Sequence, residues 1–169
     1  MPRKIYGRTL IETMSALAIL SILLTIALPN LQDMRDNNER TQVVNQMIAV
    51  IHHARSSAVF GRTVVSVCPG KSNCTGDKHW HTRLLIFRDG NANGYLDLDD
   101  DLLHQVKIAD EFHWQWNRNK GHLQFEADGS TRALNGTLTL CKGAIPLQQV
   151  VISLSGRTRT QPPKKGTSC

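Results

Sequence analysis

Residues 14–28 read MSALAILSILLTIAL, a run without a single charged side chain. With Thr9, Leu10, Ile11, Glu12 and Thr13 ahead of it, the segment reaches about 20 residues, enough to cross a bilayer core as a helix. Arg3, Lys4 and Arg8 precede it, so the N-terminus is expected to stay cytoplasmic and the remainder to be exported. No small-x-small cleavage pattern follows the run, which argues against an ordinary cleaved signal peptide.

Toward the C-terminus, Pro29 leads into a second helical pattern. Val43, Val44, Met47, Ile48, Val50, Ile51, Ala54, Ala58, Val59 and Phe60 recur largely three or four apart, as an amphipathic stripe. A helix over residues 8–60 would be roughly 80 Å long. Its first half suits lipid and its second half can pack on a globular head. Pro29 is expected to bend it, lacking the amide for one intrahelical bond and crowding the preceding turn.

Glu12 is a carboxylate near one end of an apolar span, where it needs a partner or a role. Cleavage after Gly7 would create a new amino terminus on Arg8, one helical turn from Glu12. The run Gly7-Arg8-Thr9-Leu10-Ile11-Glu12 before an apolar segment resembles the signal of type IV prepilins and type II secretion pseudopilins. That resemblance implies a membrane-bound prepilin peptidase that cuts after Gly7 and N-methylates Arg8, with Glu12 supporting filament assembly. Arg8 departs from the family, which usually has phenylalanine there.

Beyond residue 60 the periodicity changes. Strands are expected at 63–67, 82–87, 102–108, 112–117, 121–126, 136–141 and 148–154, most of them separated by Gly, Asn or Asp. The expected fold class is α+β, and the resemblance implies a type IV pilin-like form of it: a long N-terminal transmembrane and amphipathic helix packed on a small antiparallel β-sheet head. The expected organisation is a leader at 1–7, a transmembrane segment at 8–30, an amphipathic continuation at 31–60, and a β-rich head at 61–169. Trp114 and Trp116 alternate with Gln115 and should share one strand face. Trp80 reads as a packing residue too.

Asp89, Asn91, Asn93, Asp97 and Asp100 offer side-chain oxygens around Gly94, a spacing like that of a calcium loop. The flanks read as strands rather than helices and the last position is Asp rather than Glu. A self-capping Asx- and Gly-rich turn is therefore the favoured reading, with these five as weak metal candidates. Similar turns occur in heads of the FimT/GspH-type minor pilins, which the region around Phe125–Gly129 and Leu138–Leu140 also resembles. No cofactor is expected.

The four cysteines, Cys68, Cys74, Cys141 and Cys169, allow three complete pairings, and export favours disulfides over zinc. Cys68–Cys74, closing a short loop with Pro69 and Gly70, and Cys141–Cys169, tying the chain end to the head, are the favoured pairs.

Net charge is +6, falling to +4 if Arg3 and Lys4 leave with the leader. Residues 89–111 hold seven acidic side chains, whereas none follows Asp128. The last third, with Arg132, Lys142, Arg157, Arg159, Lys164 and Lys165, should attract a polyanion. Gly156 permits a turn, and Arg157 and Arg159, two apart in an extended chain, would point the same way and grip successive phosphates. Pro162 and Pro163 stiffen the path to Lys164 and Lys165.

Gly156, Arg157 and Arg159 resemble the Gly-Arg-x-Arg motif of the FimT minor pilins of natural transformation, where it is associated with DNA binding. Lys164 and Lys165 join by electrostatics alone. The expected partners are double-stranded DNA, bound without sequence preference, other major and minor pilins, prepilin peptidase, and the inner membrane before assembly. The head would be periplasmic, and extracellular once in a pilus. The alternative is a structural minor pilin or type II secretion pseudopilin that primes or caps a filament. His52, His53, His79 and His81 show no nucleophile–base spacing, so an enzyme is not expected.

Overall fold

A computed structural model describes residues 9–169. Gly7 and Arg8, read above as the processing site, lie outside the described residues. One helix, α1 (Leu10–Gly61), precedes nine strands: β1 (Val65–Pro69), β2 (His79–Trp80), β3 (Arg83–Arg88), β4 (Asp101–Lys107), β5 (His113–Trp116), β6 (Leu123–Phe125), β7 (Gly136–Lys142), β8 (Ile145–Ile152) and β9 (Thr158–Gln161). Contacts divide the chain into two compact units, one ending at Thr41 and the other spanning Gln42–Cys169.

In the first unit, Thr9 caps the helix. The Glu12 amide donates to the Thr9 carbonyl at 3.1 Å and lies 3.4 Å from the Thr9 hydroxyl, so an otherwise orphaned amide of the first turn is satisfied. Glu12 itself is the acidic residue of that turn, where negative charge complements the helix dipole. Leu10, Ile11, Met14, Leu17, Ile19, Leu20, Ile22, Leu23 and Leu24 are all exposed. A helix that is apolar all round belongs in lipid or in a protein interior. Its hydroxyls suit that setting, because those of Thr13, Ser15, Ser21 and Thr25 each donate to a carbonyl three residues earlier and need no water. The segment is long and apolar enough to cross a membrane, and the helix continues through position 29 rather than ending at the proline.

In the second unit, Val43, Val44, Met47, Val50, Ile51, Ala54 and Ala58 are buried at the three-and-four spacing of one helix face. Val59 and Phe60, grouped with that stripe from the sequence, are instead 41% and 88% exposed. Each further residue rotates the chain by about 100°, which carries them off the buried face after Ala58.

The strands form two antiparallel sheets, ordered β4-β3-β1-β6 and β2-β5-β7-β8-β9, where the sequence reading expected one small sheet. The main core joins the helix stripe to Val65 and Val67 of β1 and to the inner face of the second sheet: Trp80, Trp114, Trp116, Leu138, Leu140, Val150 and Ile152. Trp114 and Trp116 share that face as their alternation requires, and the Trp80 ring lies 5.9 Å from that of Trp116. β1 is buried along its whole length, because its other side packs Cys68 with Leu85, Phe87 and Leu96 in a smaller cluster.

Seven strands fall within a few residues of their expected positions. β2 and β9 carry no apolar alternation. The first is two residues long, and the second reads Thr-Arg-Thr-Gln and joins the sheet at its edge through backbone pairing.

The disulfides are Cys68–Cys74 and Cys141–Cys169, the pairs favoured from the sequence. Among the described residues, four have left-handed backbone without being glycine, including Ala92 in the acidic loop at φ 55°.

Candidate nucleic-acid interface

β8 runs into a tight turn, residues 153–156, and returns as β9. The turn is closed by its own polar groups. The Gly156 amide donates to the Ser153 carbonyl at 2.9 Å, and the Ser153 amide donates to the Arg157 carbonyl at 3.0 Å. The Arg157 amide in turn donates to the Ser153 hydroxyl at 3.1 Å. Gly156 adopts φ 73°, a conformation that costs an L side chain roughly 1–2 kcal/mol. Space forbids a side chain there as well: a Cβ would lie 2.2 Å from the Gly129 carbonyl oxygen and 2.9 Å from Arg55 Nε.

That close approach fixes the turn to the body of the head. Arg55, on the helix, donates through Nε to the Gly129 carbonyl at 2.9 Å. Beside it, the Thr131 amide donates to the Leu154 carbonyl at 2.8 Å, and the Thr131 hydroxyl is 3.3 Å from the carbonyls of Ser153 and Leu154. His52, one helical turn before Arg55, is hydrogen-bonded to the Thr158 hydroxyl at 3.1 Å. Arg55, Gly129 and Thr131 are positioning residues that sequence reasoning missed. Their only trace in the sequence is a helical spacing from His52 to Arg55 and an Asp-Gly-Ser turn signal at 128–130.

Because Thr158 faces the helix, alternation along the strand sends Arg157 and Arg159 to the opposite, outward face. Arg159 lies opposite Val151. Both arginines are exposed, and neither is in an ion pair among the described residues. With Val151, Ser153, Ser155 and Thr158 they line a shallow hollow of about 320 Å³. Lys164 and Lys165 are exposed as well, on a segment that turns after the two prolines. There the Thr167 amide donates to the Lys164 carbonyl at 3.1 Å, Gln149 reaches the Thr167 hydroxyl at 3.4 Å, and Cys169 is bonded to Cys141. The tail is therefore tied down at both ends, with its lysines beyond the far end of β9 from Arg157.

The acidic loop is arranged differently. Asp89 is fully buried. Its Oδ2 accepts from the Ser66 hydroxyl at 2.6 Å, the Gly94 amide at 2.8 Å and Gln124 Nε2 at 2.9 Å, while Oδ1 accepts from the Asn93 amide at 3.0 Å. Asp97 accepts from the side-chain amides of Asn91 and Asn93, which hold its carboxyl below the usual range. Asp100 accepts from the amides of Gly90 and Asp97, and the Asn91 and Asn93 oxygens cap the amides of Asn93 and Tyr95. Each of the five candidate ligands thus already serves the loop's own hydrogen bonds. His122 packs against Gly94. Burial first, and then the charge of Lys120, lower its pKa, with Asp89 opposing.

The family model described as type II transport protein GspH matches residues 43–156. Two crystal forms of the type IV minor pilin FimU of Pseudomonas aeruginosa have a similar fold. One is 22% identical, with a TM-score of 0.59, covering 79% of this chain and 95% of that one. The other is 21% identical, with a TM-score of 0.56, covering 76% and 96%. A search of the curated proteins finds no match. A long helix packed on antiparallel sheets, together with a family match over more than half its length, makes this chain a member of the type II transport protein GspH family.

Proposed function

We propose that the protein is a minor pilin that holds extracellular DNA by its backbone while a retracting pilus draws the DNA inward during natural transformation. Before assembly it sits in the inner membrane through its apolar helix with the head in the periplasm. Prepilin peptidase cuts after Gly7, Arg8 becomes the methylated N-terminus, and Glu12 pairs with the amino terminus of a neighbouring pilin. The observation that carries the DNA step is the outward pair Arg157 and Arg159, exposed on an anchored hairpin and outside any ion pair among the described residues. Two guanidinium forks on a rigid turn can engage successive phosphates with little ordering cost. Lys164 and Lys165 extend the field.

A second reading is a filament-building subunit or pseudopilin without DNA affinity, its basic turn meeting another pilin. The family match favours it, since that match covers the packed head and stops at Gly156, before the arginines.

Titration of a labelled duplex with the full chain in a neutral detergent, at two salt concentrations, separates the two. Binding of arbitrary sequence is expected near 10⁻⁴–10⁻⁶ M, about the range for non-specific contacts. The double variant Arg157→Ala/Arg159→Ala should weaken it by about tenfold and lower the salt slope by about two. An affinity that the double variant leaves intact removes the hairpin from the binding surface. A wild-type chain that ignores DNA at low salt leaves only the filament role.

A further inference from the structure

We infer that the head carries a second phosphate-contact cluster, Lys78, Arg118 and Lys120, at the same end of the five-stranded sheet as Arg157, so that it bridges two phosphate chains of one duplex. This rests on the DNA-binding reading above.

The sheet registers put the cluster and the arginine hairpin at one end of the five-stranded sheet. Thr137 lies opposite Val151, which lies opposite Arg159, and the Asn117 amide donates to the Thr137 carbonyl at 3.2 Å. The end of β5, the start of β7, the end of β8 and the start of β9 therefore share one edge of the molecule. β2 begins there too, since the Trp116 amide donates to the Lys78 carbonyl at 2.8 Å.

The cations are held in place. Arg118 reaches across to the next strand, donating through Nε to the Asn135 carbonyl and through Nη2 to Asn135 Oδ1. Lys78 Nζ donates to Asn119 Oδ1 at 3.1 Å. Gly121 packs so closely on Gly76 that a Cβ would lie 2.1 Å from its carbonyl oxygen, which locks the loop carrying Lys120. All three cations are exposed, and none is in an ion pair among the described residues. No acidic residue occurs from His113 to Phe125. Asp77 is the carboxylate next in chain, and the acidic loop borders the cluster where Tyr95 and Gly94 meet Gly76 and His122.

Spacing gives the partner its class. Continuing the register by one position places Asn135, and with it the Arg118 guanidinium, two strands from Arg157, or about 10 Å. Lys78, immediately before β2, stands four strands from β9, or about 19 Å. That interval spans a major groove about 12 Å wide. A single strand offers no second phosphate chain at that distance.

The test uses the full chain in neutral detergent with a labelled duplex and, separately, one of its strands. Lys78→Ala/Lys120→Ala leaves the Arg118 clamp intact, and its folding is checked by tryptophan fluorescence. The variant is expected to weaken duplex binding by about fivefold and lower the duplex salt slope by about two, one per lost contact, with less than about a twofold change for the single strand. Duplex affinity and slope unchanged, while Arg157→Ala/Arg159→Ala still weakens binding, would overturn the second cluster and leave the hairpin reading standing. Equal losses on duplex and single strand would overturn the bridging geometry. A wild type without DNA affinity would sink the hairpin reading first, and this one with it.

Discussion

The acidic loop at 89–100 and the basic hairpin at 153–159 are both short, Gly-containing and charged with one sign, and they treat that charge in opposite ways. In the loop, carboxylates and amides turn inward and accept the loop's own amides, with Asp89 reaching the buried Ser66 and Gln124. In the turn, a hydroxyl and backbone groups close the structure and the guanidinium groups are left outside. A cluster that spends its donors and acceptors on its own backbone holds a fold. A cluster whose turn is closed by other atoms leaves its charge exposed to solvent.

The strongest test of that contrast is Asp89→Ala. It removes a buried acceptor that serves four donors, and unsatisfied buried donors cost on the order of 1–3 kcal/mol each before relaxation. A loss of about 3 kcal/mol is expected, read as a melting point lowered by about 10 °C, while folded molecules still bind DNA. An unchanged melt would mean that the loop is not held by its carboxylate.

Gly156→Ala comes next. The positive φ and the crowding against Gly129 and Arg55 should cost about 2 kcal/mol. Unlike Asp89→Ala, it should also weaken duplex binding, because the turn that aims Arg157 and Arg159 must shift. Full affinity in this variant would separate the turn from the binding surface.

The smallest effect is that of pH. His113 and His122 both have pKa values lowered from 6.5, chiefly by burial, with His79 and His81 also acting on His113 and Lys120 on His122. The unfolded chain therefore binds more protons than the folded one between those lowered values and 6.5. Stability is complete above about 6.5 and declines as pH falls through that window. Melting curves at pH 7.5 and pH 5.5 should show a modest drop, reduced in His122→Gln. A higher melting point at the lower pH would contradict the burial of these rings.

Much of this was legible from the chain. The apolar run from Met14 to Leu28 is marked by its unbroken length, and the stripe from Val43 to Ala58 by a period that burial on the head enforces. Trp114 and Trp116 follow the same logic on a strand, as does the cysteine pairing once short loop closure is weighed. β9 was not legible as a strand. Its four polar residues are held by β8's backbone rather than by apolar burial, so no side-chain pattern announces them. Two sheets rather than one likewise leave no local mark. The residues proposed to bind DNA, Arg157 and Arg159, stand out by composition, whereas Arg55, Gly129 and Thr131 do not, since they meet a turn far away in sequence.

Sequence alone determined the apolar helix, the helical stripe, most strands and the segregation of charge, because each is set by the order of side chains along a local repeat. Only the tertiary structure decided which charges are consumed and which are offered. That depends on long-range pairings: Asp89 with Gln124, Gly156 against Gly129, and Arg118 on Asn135. No local pattern encodes the distance between two residues that meet only when the sheets close.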